Sequence, residues 1–440
     1  MKKCALHNLG CKVNSYETQA MQQMLETEGY RIVEFGKEPA DVYIINTCSV
    51  TNIADRKSRQ MIHKARKLNP DAVIVATGCY VEAAGEQVDD DVDVIIGNNE
   101  KSRLADILNG YFENVQECST HEKISDAGNF DRMIMTRPSE HTRAYVKIQD
   151  GCNRFCTYCI IPYVRGRIRS RDKEDIRQEI EQLAASGCKE VVLTGIHLSS
   201  YGLDSNPNAT SLIDIIEMVN GIEGVERIRL GSLEPLIVTE DFVKKLSKLR
   251  KICPHFHLSL QSGCDATLKR MNRRYTADEF CGCVNILRKY FDKPAITTDV
   301  IVGFPGETQE EFETTKAFLT KIRFYELHVF KYSRRKGTAA DRMPEQVSED
   351  IKTLRSNELL ALDEELSAEY RRGYIGKTVS VLTEETVSID GKEYMTGFTD
   401  TYVKTAIPLD GIAEVRANSI VKVRIDKLMG KDLVIGVAEN

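Results

Sequence analysis

Three cysteines lie close together near the middle of the chain, at Cys152, Cys156 and Cys159. Their Cys-x3-Cys-x2-Cys spacing puts three thiols on one loop, directly after an apolar run that predicts a strand over residues 144–148. Three thiolates can hold three irons of a four-iron cluster, and no fourth cysteine is near in sequence. An iron left open to a further ligand indicates catalysis. On spacing alone, a structural zinc site completed by a distant Cys or His remains the alternative.

A second set of cysteines is dispersed over the first eighty residues. Cys11, Cys48 and Cys79 each follow a short apolar run that predicts a strand. Because the carboxyl ends of parallel strands meet at one edge of a sheet, three separate loops would bring the three thiolates together. One buried cysteine is usually an inert core residue, but three at equivalent strand ends are hard to explain as packing. This arrangement predicts a second cluster.

The other seven cysteines show no ligand spacing, and we expect them to be core or surface thiols: Cys4, Cys118, Cys188, Cys253, Cys264, Cys281 and Cys283. The chain has 440 residues, a net charge of −6, 42% hydrophobic and 29% charged residues, which excludes a disordered protein. Its apolar stretches are far shorter than the roughly 18 residues of a membrane helix. We therefore expect a cytoplasmic protein with no membrane partner, whose cysteines are not disulfides.

The secondary-structure pattern predicts an α/β protein with three domains. Residues 1–113 alternate strands and helices, which predicts a doubly wound parallel α/β domain, and a polar linker follows over 114–138. Residues 139–372 hold six further strands separated by helices, a pattern that suits either a partial barrel or a second doubly wound sheet. Residues 373–440 change to period-two alternation, which predicts a small all-β barrel.

The loop from Asp150 to Cys159 resembles the signature loop of the radical S-adenosylmethionine (SAM) enzymes. That resemblance implies a [4Fe-4S] cluster on Cys152, Cys156 and Cys159, with the open iron chelating SAM, and a partial (β/α)6 barrel. Tyr158, the aromatic residue before the last cysteine, would lie near the adenine. Further SAM contacts are expected at strand ends of the barrel, at Gly195, Glu234, Gln261, Asp299 and Gly303.

The whole chain is similar to the methylthiotransferases in the order of its domains. In that family a trio such as Cys11, Cys48 and Cys79 holds an auxiliary [4Fe-4S] cluster, and the C-terminal module resembles the RNA-binding TRAM barrel. Residues 9–14 and 397–404 look most like the branch acting on N6-threonylcarbamoyladenosine at tRNA position 37. The alternatives are a sibling enzyme for isopentenyladenosine or for a ribosomal protein, and a non-enzymatic zinc-binding RNA adaptor.

The family resemblance also implies the reaction. A methylthio group is added to C2 of the modified adenine at the expense of two SAM molecules, one as methyl donor and one as radical source. A reducing-electron donor is required, and the sulfur source stays open. Beyond the cluster ligands, we assign no catalytic residue.

Four arginines alternate directly after the cluster loop, at Arg165, Arg167, Arg169 and Arg171. Alternate residues of an extended segment point the same way, so this run predicts a surface that binds tRNA phosphates. For Arg167 and Arg169, pairing with the carboxylate of SAM is the alternative.

Overall fold

A computed structural model describes residues 1–113, 128–138, 142–204, 210–410 and 415–439. Cys118 and most of the predicted linker lie outside the described residues. The remaining part of that segment, 128–138, packs against the first helix. Met133 and Met135 are buried there, and the Tyr16 hydroxyl donates a hydrogen bond of 2.7 Å to the Met133 carbonyl.

The N-terminal region contains a five-stranded parallel sheet in the order β2-β1-β3-β4-β5. This order is typical of doubly wound folds, as the sequence predicts. Helix α1 shares a core with Val42 and Ile44 on one face, and α2 packs on Tyr43 and Ile45 of the opposite face. The elements are β1 (Lys3–Asn8), α1 (Lys12–Thr27), β2 (Arg31–Ile32), β3 (Val42–Thr47), α2 (Asn52–Leu68), β4 (Val73–Gly78), α3 (Cys79–Ala84), β5 (Val94–Ile96) and α4 (Leu104–Phe112).

The central region is a partial barrel of six parallel strands that stand side by side in chain order. Two sheets, β7-β6-β8-β9 and β10-β11-β12, are joined by single bridges such as Leu233 to Leu258. Chain order excludes the doubly wound alternative, so the partial (β/α)6 barrel is confirmed. The strands are β6 (Arg143–Asp150), β7 (Arg169–Ser170), which is antiparallel to β6, β8 (Glu190–Gly195), β9 (Arg227–Leu230), β10 (His255–His257), β11 (Ala295–Val302) and β12 (Glu326–Lys331).

Helices cover the outside of this barrel, and the last of them leads to the C-terminal module. They are α5 (Ile161–Val164), α6 (Lys173–Ala185), α7 (Leu212–Gly221), α8 (Glu240–Leu246), α9 (Asp265–Arg270), α10 (Ala277–Tyr290), α11 (Gln309–Ile322) and α12 (Glu349–Arg372). None of the helices in the described ranges is long and apolar enough to cross a bilayer.

The C-terminal module is a closed five-stranded barrel in the order β13-β14-β15-β17-β16. It covers the amino-terminal end of the central barrel, where Arg227 donates to the Phe398 carbonyl at 2.9 Å and Arg229 to the Asp400 carbonyl at 3.0 Å. The carboxyl end of the barrel faces the N-terminal domain. The strands are β13 (Thr378–Ile389), β14 (Lys392–Thr399), β15 (Lys404–Pro408), β16 (Ile420–Met429) and β17 (Leu433–Ala438).

Candidate functional site

The central cysteine loop starts with a turn that only glycine can make. Strand β6 ends at Asp150, and Gly151 follows with φ +69°, where a Cβ atom would lie 1.8 Å from the Arg167 carbonyl oxygen. This close approach lets the Cys152 N–H donate to the Gly166 carbonyl at 3.0 Å. The first cysteine is thus fixed at the carboxyl end of the barrel.

The rest of this loop is held by the segment that follows α9. The Thr157 N–H donates to the Met271 carbonyl at 3.1 Å, and the Asn272 amide donates to the Phe155 carbonyl at 3.0 Å. Arg273 donates from Nη1 to the Cys156 sulfur at 3.3 Å. A cationic donor on a ligand sulfur stabilises the negative charge that a thiolate cluster carries.

Burial sets the acidity of the loop thiols. Burial, with a smaller contribution from the neighbouring Cys156, raises the pKa of Cys152 to about 11 and that of Cys159 to about 12. A metal bound by these thiols would have to displace their protons.

The dispersed trio converges because its three strands are neighbours. In the sheet, β1 and β4 flank β3, with Asn8 opposite Asn46 and Thr47 opposite Gly78. Each cysteine follows its strand end directly or within three residues, and adjacent strands lie about 4.8 Å apart. Burial raises the pKa of Cys48 to about 11, with added repulsion from Cys79 and Cys11.

Two glycines allow this convergence. A Cβ atom on Gly10 would lie 3.1 Å from the Cys48 sulfur, and one on Gly78 would lie 2.4 Å from the Thr47 carbonyl oxygen. Both residues have φ near +100°, at +111° and +98°. Any side chain here would push the loops apart, so the backbone is shaped around the three sulfurs.

In each trio the cysteine sulfurs stand further apart than the ligands of one zinc ion would. Thiolates on one zinc ion at about 2.3 Å must lie within roughly 4 Å of each other. Among the residues that the structure describes, only one group of three His, Cys, Asp or Glu side chains has all its ligand atoms within 4.8 Å of one another, and it is His63, Asp89 and Asp91. The cysteines of each trio are more widely spaced, as ligands to different irons of one cluster would be.

A cavity of about 220 Å³ is lined by residues that follow Cys48 and by Tyr158 of the central cysteine loop. Val50 and Thr51, just after Cys48, line one side, and Tyr158, Gln261 and Asp299 line the other. Gln261 has φ +71° and bridges to Val300, so strand pairing holds its strained backbone at the rim. A larger cavity of about 600 Å³ lies beside the C-terminal module, away from all of these residues.

The other three expected SAM contacts lie outside the lining of the small cavity. Glu234 is buried and accepts from Arg154, with His197 Nε2 at 3.3 Å. A Cβ atom on Gly195 would lie 2.9 Å from the Gln149 side chain, and one on Gly303 would lie 2.3 Å from Lys352. Close packing explains both glycines without a ligand.

The structure contradicts the tRNA role expected for three of the four alternating arginines. Arg165, Arg169 and Arg171 are at most 3% exposed. Arg165 is paired with Glu17, Arg169 donates to Asn99 at 2.8 Å, and Arg171 is paired with Glu179. Alternation shows which way the side chains point, but it does not show whether a neighbouring helix covers them. Arg167 alone is exposed, with its guanidinium 4.5 Å from the Phe155 ring centre.

Sequence reasoning missed Glu17, which is fully buried among cations. A signal for it exists, because Val13, Glu17 and Ala20 share one face at helical spacing, so the glutamate falls on an apolar stripe. For Arg273, which reaches Cys156 from a separate loop, the sequence holds no such signal.

Fold and site together define a radical SAM enzyme. The "Radical SAM superfamily" description matches residues 146–319, and "Uncharacterized protein family UPF0004" matches residues 3–97. The fold is also similar to that of a radical SAM methyltransferase, TsrM, from Kitasatospora setae, at TM-score 0.58 and 13% identity, covering 77% of this chain and 74% of that one.

Curated relatives cover almost the full length. The chain is 42% identical to the threonylcarbamoyladenosine tRNA methylthiotransferase MtaB of Bacillus subtilis, over 97% of this chain and 94% of the relative. It is 36% identical to a tRNA-2-methylthio-N(6)-dimethylallyladenosine synthase of Clostridium botulinum, over 96% and 95%. The chain belongs to the tRNA methylthiotransferase family.

Proposed function

We propose that this enzyme adds a methylthio group to C2 of N6-threonylcarbamoyladenosine at position 37 of tRNA, in the cytoplasm. The observation that carries the proposal is one cavity lined both by Val50 and Thr51, just after Cys48, and by Tyr158 of the central cysteine loop. A reaction that joins a radical source to a sulfur carrier needs both within reach of one substrate atom. The relative from Bacillus subtilis, which is named for this nucleoside, supports the choice of substrate.

Cys152, Cys156 and Cys159 would hold the [4Fe-4S] cluster that binds SAM, and Cys11, Cys48 and Cys79 a second, auxiliary [4Fe-4S] cluster. When bound, these groups supply the electron, the adenosyl radical and the sulfur. The cavity in which SAM and the adenine would meet is lined by Tyr158, Gln261 and Asp299. An electron donor from outside the chain is required.

The protein closes this space by docking its N-terminal domain on the barrel. Arg335, buried after β12, donates to Asn52 and pairs with Asp55 of α2 at 2.7 Å, and also donates to Ser49 at 2.6 Å. Ser49 directly follows Cys48. We infer that Arg335 keeps the auxiliary loop against the barrel mouth and water away from the reacting atoms.

Exposed basic residues near the mouth of the cavity suit a tRNA backbone. Helix α2 begins beside the cavity, where the Asn52 N–H donates to Ser333 Oγ at 3.1 Å. Arg56 and Arg59 of this helix and Lys336 beyond Ser333 are exposed. Together with Arg167, we assign them to phosphate binding.

This assignment predicts a change in salt dependence. Replacing Arg56 and Arg59 together with alanine should weaken tRNA binding and lower the slope of log K against log salt by about 0.9 for each phosphate that is no longer neutralised. Filter binding over a series of salt concentrations measures the slope. Lys289→Ala, an exposed lysine paired with Glu240 on α10, is the control. An unchanged slope in the double variant would remove α2 from the tRNA surface.

Nucleoside analysis tests the function itself. The chain should be expressed in a bacterial strain that lacks its own methylthiotransferases, and its digested tRNA analysed by mass spectrometry. We expect 2-methylthio-N6-threonylcarbamoyladenosine with the wild-type chain, and none when either cysteine trio is changed to alanine. Methylthiolated isopentenyladenosine instead would favour the second candidate, which the 36% identity to the Clostridium botulinum synthase supports.

A further inference from the structure

A group of charged side chains is fully enclosed between the two cysteine trios. Each of its members, Glu17, Lys101, Lys147, Asp150 and Arg165, is at most 1% exposed. Glu17 pairs with both lysines and with Arg165, and Asp150 pairs with Lys147 at 2.6 Å and with Arg165 at 3.2 Å. This buried charge network connects α1 of the N-terminal domain to the strand that ends at the central loop.

The buried charge network holds more positive than negative charge. Burial favours neutral carboxyls, but Arg165, Lys101 and Lys147 hold the pKa of Glu17 well below its usual range, so Glu17 is anionic. Asp150 lies in ion-pair contact with Lys147 and Arg165. Burial lowers the pKa of Lys101. Arg169 adds a further cation, 3.8 Å from Asp150. Even if Lys101 is not counted, three cations therefore face the two carboxylates, and they are Lys147, Arg165 and Arg169.

Arg165 directs part of this charge at a cysteine of the dispersed trio. Its Nη1 donates to Glu17 at 2.6 Å, and its Nη2 donates to Glu17 at 3.1 Å and to the Asn14 side chain. These hydrogen bonds fix the plane of the guanidinium, so the single hydrogen on Nε points to the Cys79 sulfur at 3.4 Å. Hydrogen bonds to ligand sulfurs and nearby charge set the reduction potential of iron–sulfur clusters.

We propose that Arg165 is a positioning residue for the auxiliary cluster and raises its reduction potential through the hydrogen bond to Cys79. The inference rests on the proposed function, since it needs a cluster on Cys11, Cys48 and Cys79. One electron from a low-potential reductant takes the core from 2+ to 1+, and with three thiolates the net charge goes from −1 to −2. No bond breaks and no proton moves. The cationic donor favours the more negative state.

The test is a potentiometric titration of the full chain with Cys152, Cys156 and Cys159 changed to alanine, so that only the dispersed trio can hold iron. Arg165→Lys keeps the charge, but one ammonium cannot serve Glu17, Asn14 and Cys79 in a single plane. We expect the equilibrium constant for reduction by dithionite to fall about tenfold, which is about 59 mV for one electron. Arg171→Lys, a buried arginine paired with Glu179, is the matched control and should leave the potential unchanged.

A second measurement keeps Arg165 in place and so does not depend on the variant folding. The same cysteine-to-alanine chain is labelled with ¹⁵N-arginine, reduced, and examined by pulsed electron paramagnetic resonance. We expect a ¹⁵N coupling to the cluster, because Arg165 Nε lies 3.4 Å from the Cys79 sulfur. Arg273, the arginine on Cys156, does not contribute, because no cluster lies beside it in this background. A missing ¹⁵N coupling, or an unchanged potential in Arg165→Lys, overturns the role of Arg165.

Iron analysis of the same sample separates the two hypotheses. If the chain binds iron and loses it on Cys79→Ala, the auxiliary cluster stands and the titration decides on Arg165 alone. If the chain binds no iron when only the dispersed trio is intact, the proposed auxiliary cluster fails, and the role of Arg165 fails with it.

Discussion

At Gly151 a single missing Cβ atom decides whether the central loop can form. The position has φ +69° and the Arg167 carbonyl oxygen 1.8 Å from an ideal Cβ. Gly151→Ala adds a steric clash to a conformation that costs an L-residue about 1–2 kcal/mol. We expect the variant to bind about half of the wild-type iron, the share of the auxiliary cluster. Iron analysis after anaerobic reconstitution measures it. Gly282→Ala, with no atom within 4 Å of its Cβ, is the control and should keep all of its iron.

The sequence predicts six cluster cysteines because their chemistry lies in residue type and spacing, which do not depend on the surroundings. The arginines show the opposite case. Their alternation at positions 165 to 171 shows which way the side chains point. Whether those side chains are buried depends on other elements: α1, more than a hundred residues before Arg165, and Glu179, eight residues after Arg171. No local pattern reveals that Arg165 meets Glu17 across 148 residues.

Helix α1 is the element that connects the two cysteine trios. It starts directly after Cys11, buries Tyr16 and Met21 in the core shared with the barrel, and presents Glu17 to the buried charge network. Removing one partner from a buried charged group leaves the others uncompensated, which costs about 3–5 kcal/mol. The amphipathic pattern predicts this helix, but it cannot show that its buried face also contacts a second domain.

Glu17→Gln should therefore lower the free energy of unfolding at pH 7 by about 3–5 kcal/mol. The pKa of Glu17 is held below its unfolded value, so its stabilising contribution is full above about pH 4.5 and is lost as pH falls through the folded pKa. The difference between the two proteins should shrink on acidification. Urea unfolding at pH 7 and near pH 3 measures it. Glu26→Gln on the same helix, where the glutamate pairs with the exposed Arg137, should cost less than about 1 kcal/mol. Equal losses in both variants would contradict a special role for the buried site.

The elements that sequence patterns missed are the short and the fully apolar ones. Strands β2 and β7 have two residues each, too few to show a period. Strand β17 reads Leu-Val-Ile-Gly-Val-Ala and does not alternate, because Val434 packs in one apolar cluster and Ile435 in another, so both faces carry apolar contacts. For long, periodic elements the agreement is close: the sequence pattern predicts a helix over 277–290 and a strand over 295–302, and α10 and β11 have these bounds.

In the whole molecule, the C-terminal module closes the amino-terminal end of the barrel. Glu190 is buried there between Arg143 at 2.9 Å and Arg229 at 3.1 Å, and these arginines, with the module, keep water from it. Burial alone would raise the pKa of Glu190, but the two arginines lower it to about 2. Deleting the module would expose this charged group. Loss of tRNA binding in a deletion variant would then report on barrel stability as well as on RNA binding.

Point variants of Tyr402 separate these two effects. The ring lies under both arginines, 4.4 Å from Arg229 and 5.1 Å from Arg143, and stacks on Phe398 at 4.7 Å. Tyr402→Ala removes this partly buried ring and should cost about 1–3 kcal/mol, because it leaves two guanidinium groups without their aromatic partner.

Differential scanning calorimetry of the full chain measures this destabilisation, and we expect the module and the barrel of the wild type to unfold in one transition. Tyr402→Phe keeps the ring and removes only a hydroxyl that lies 3.4 Å from the Arg143 guanidinium, so it should unfold close to the wild-type temperature. A Tyr402→Ala protein with an unchanged barrel transition would show that the module only rests on the barrel, and its deletion would then be a clean test of tRNA binding.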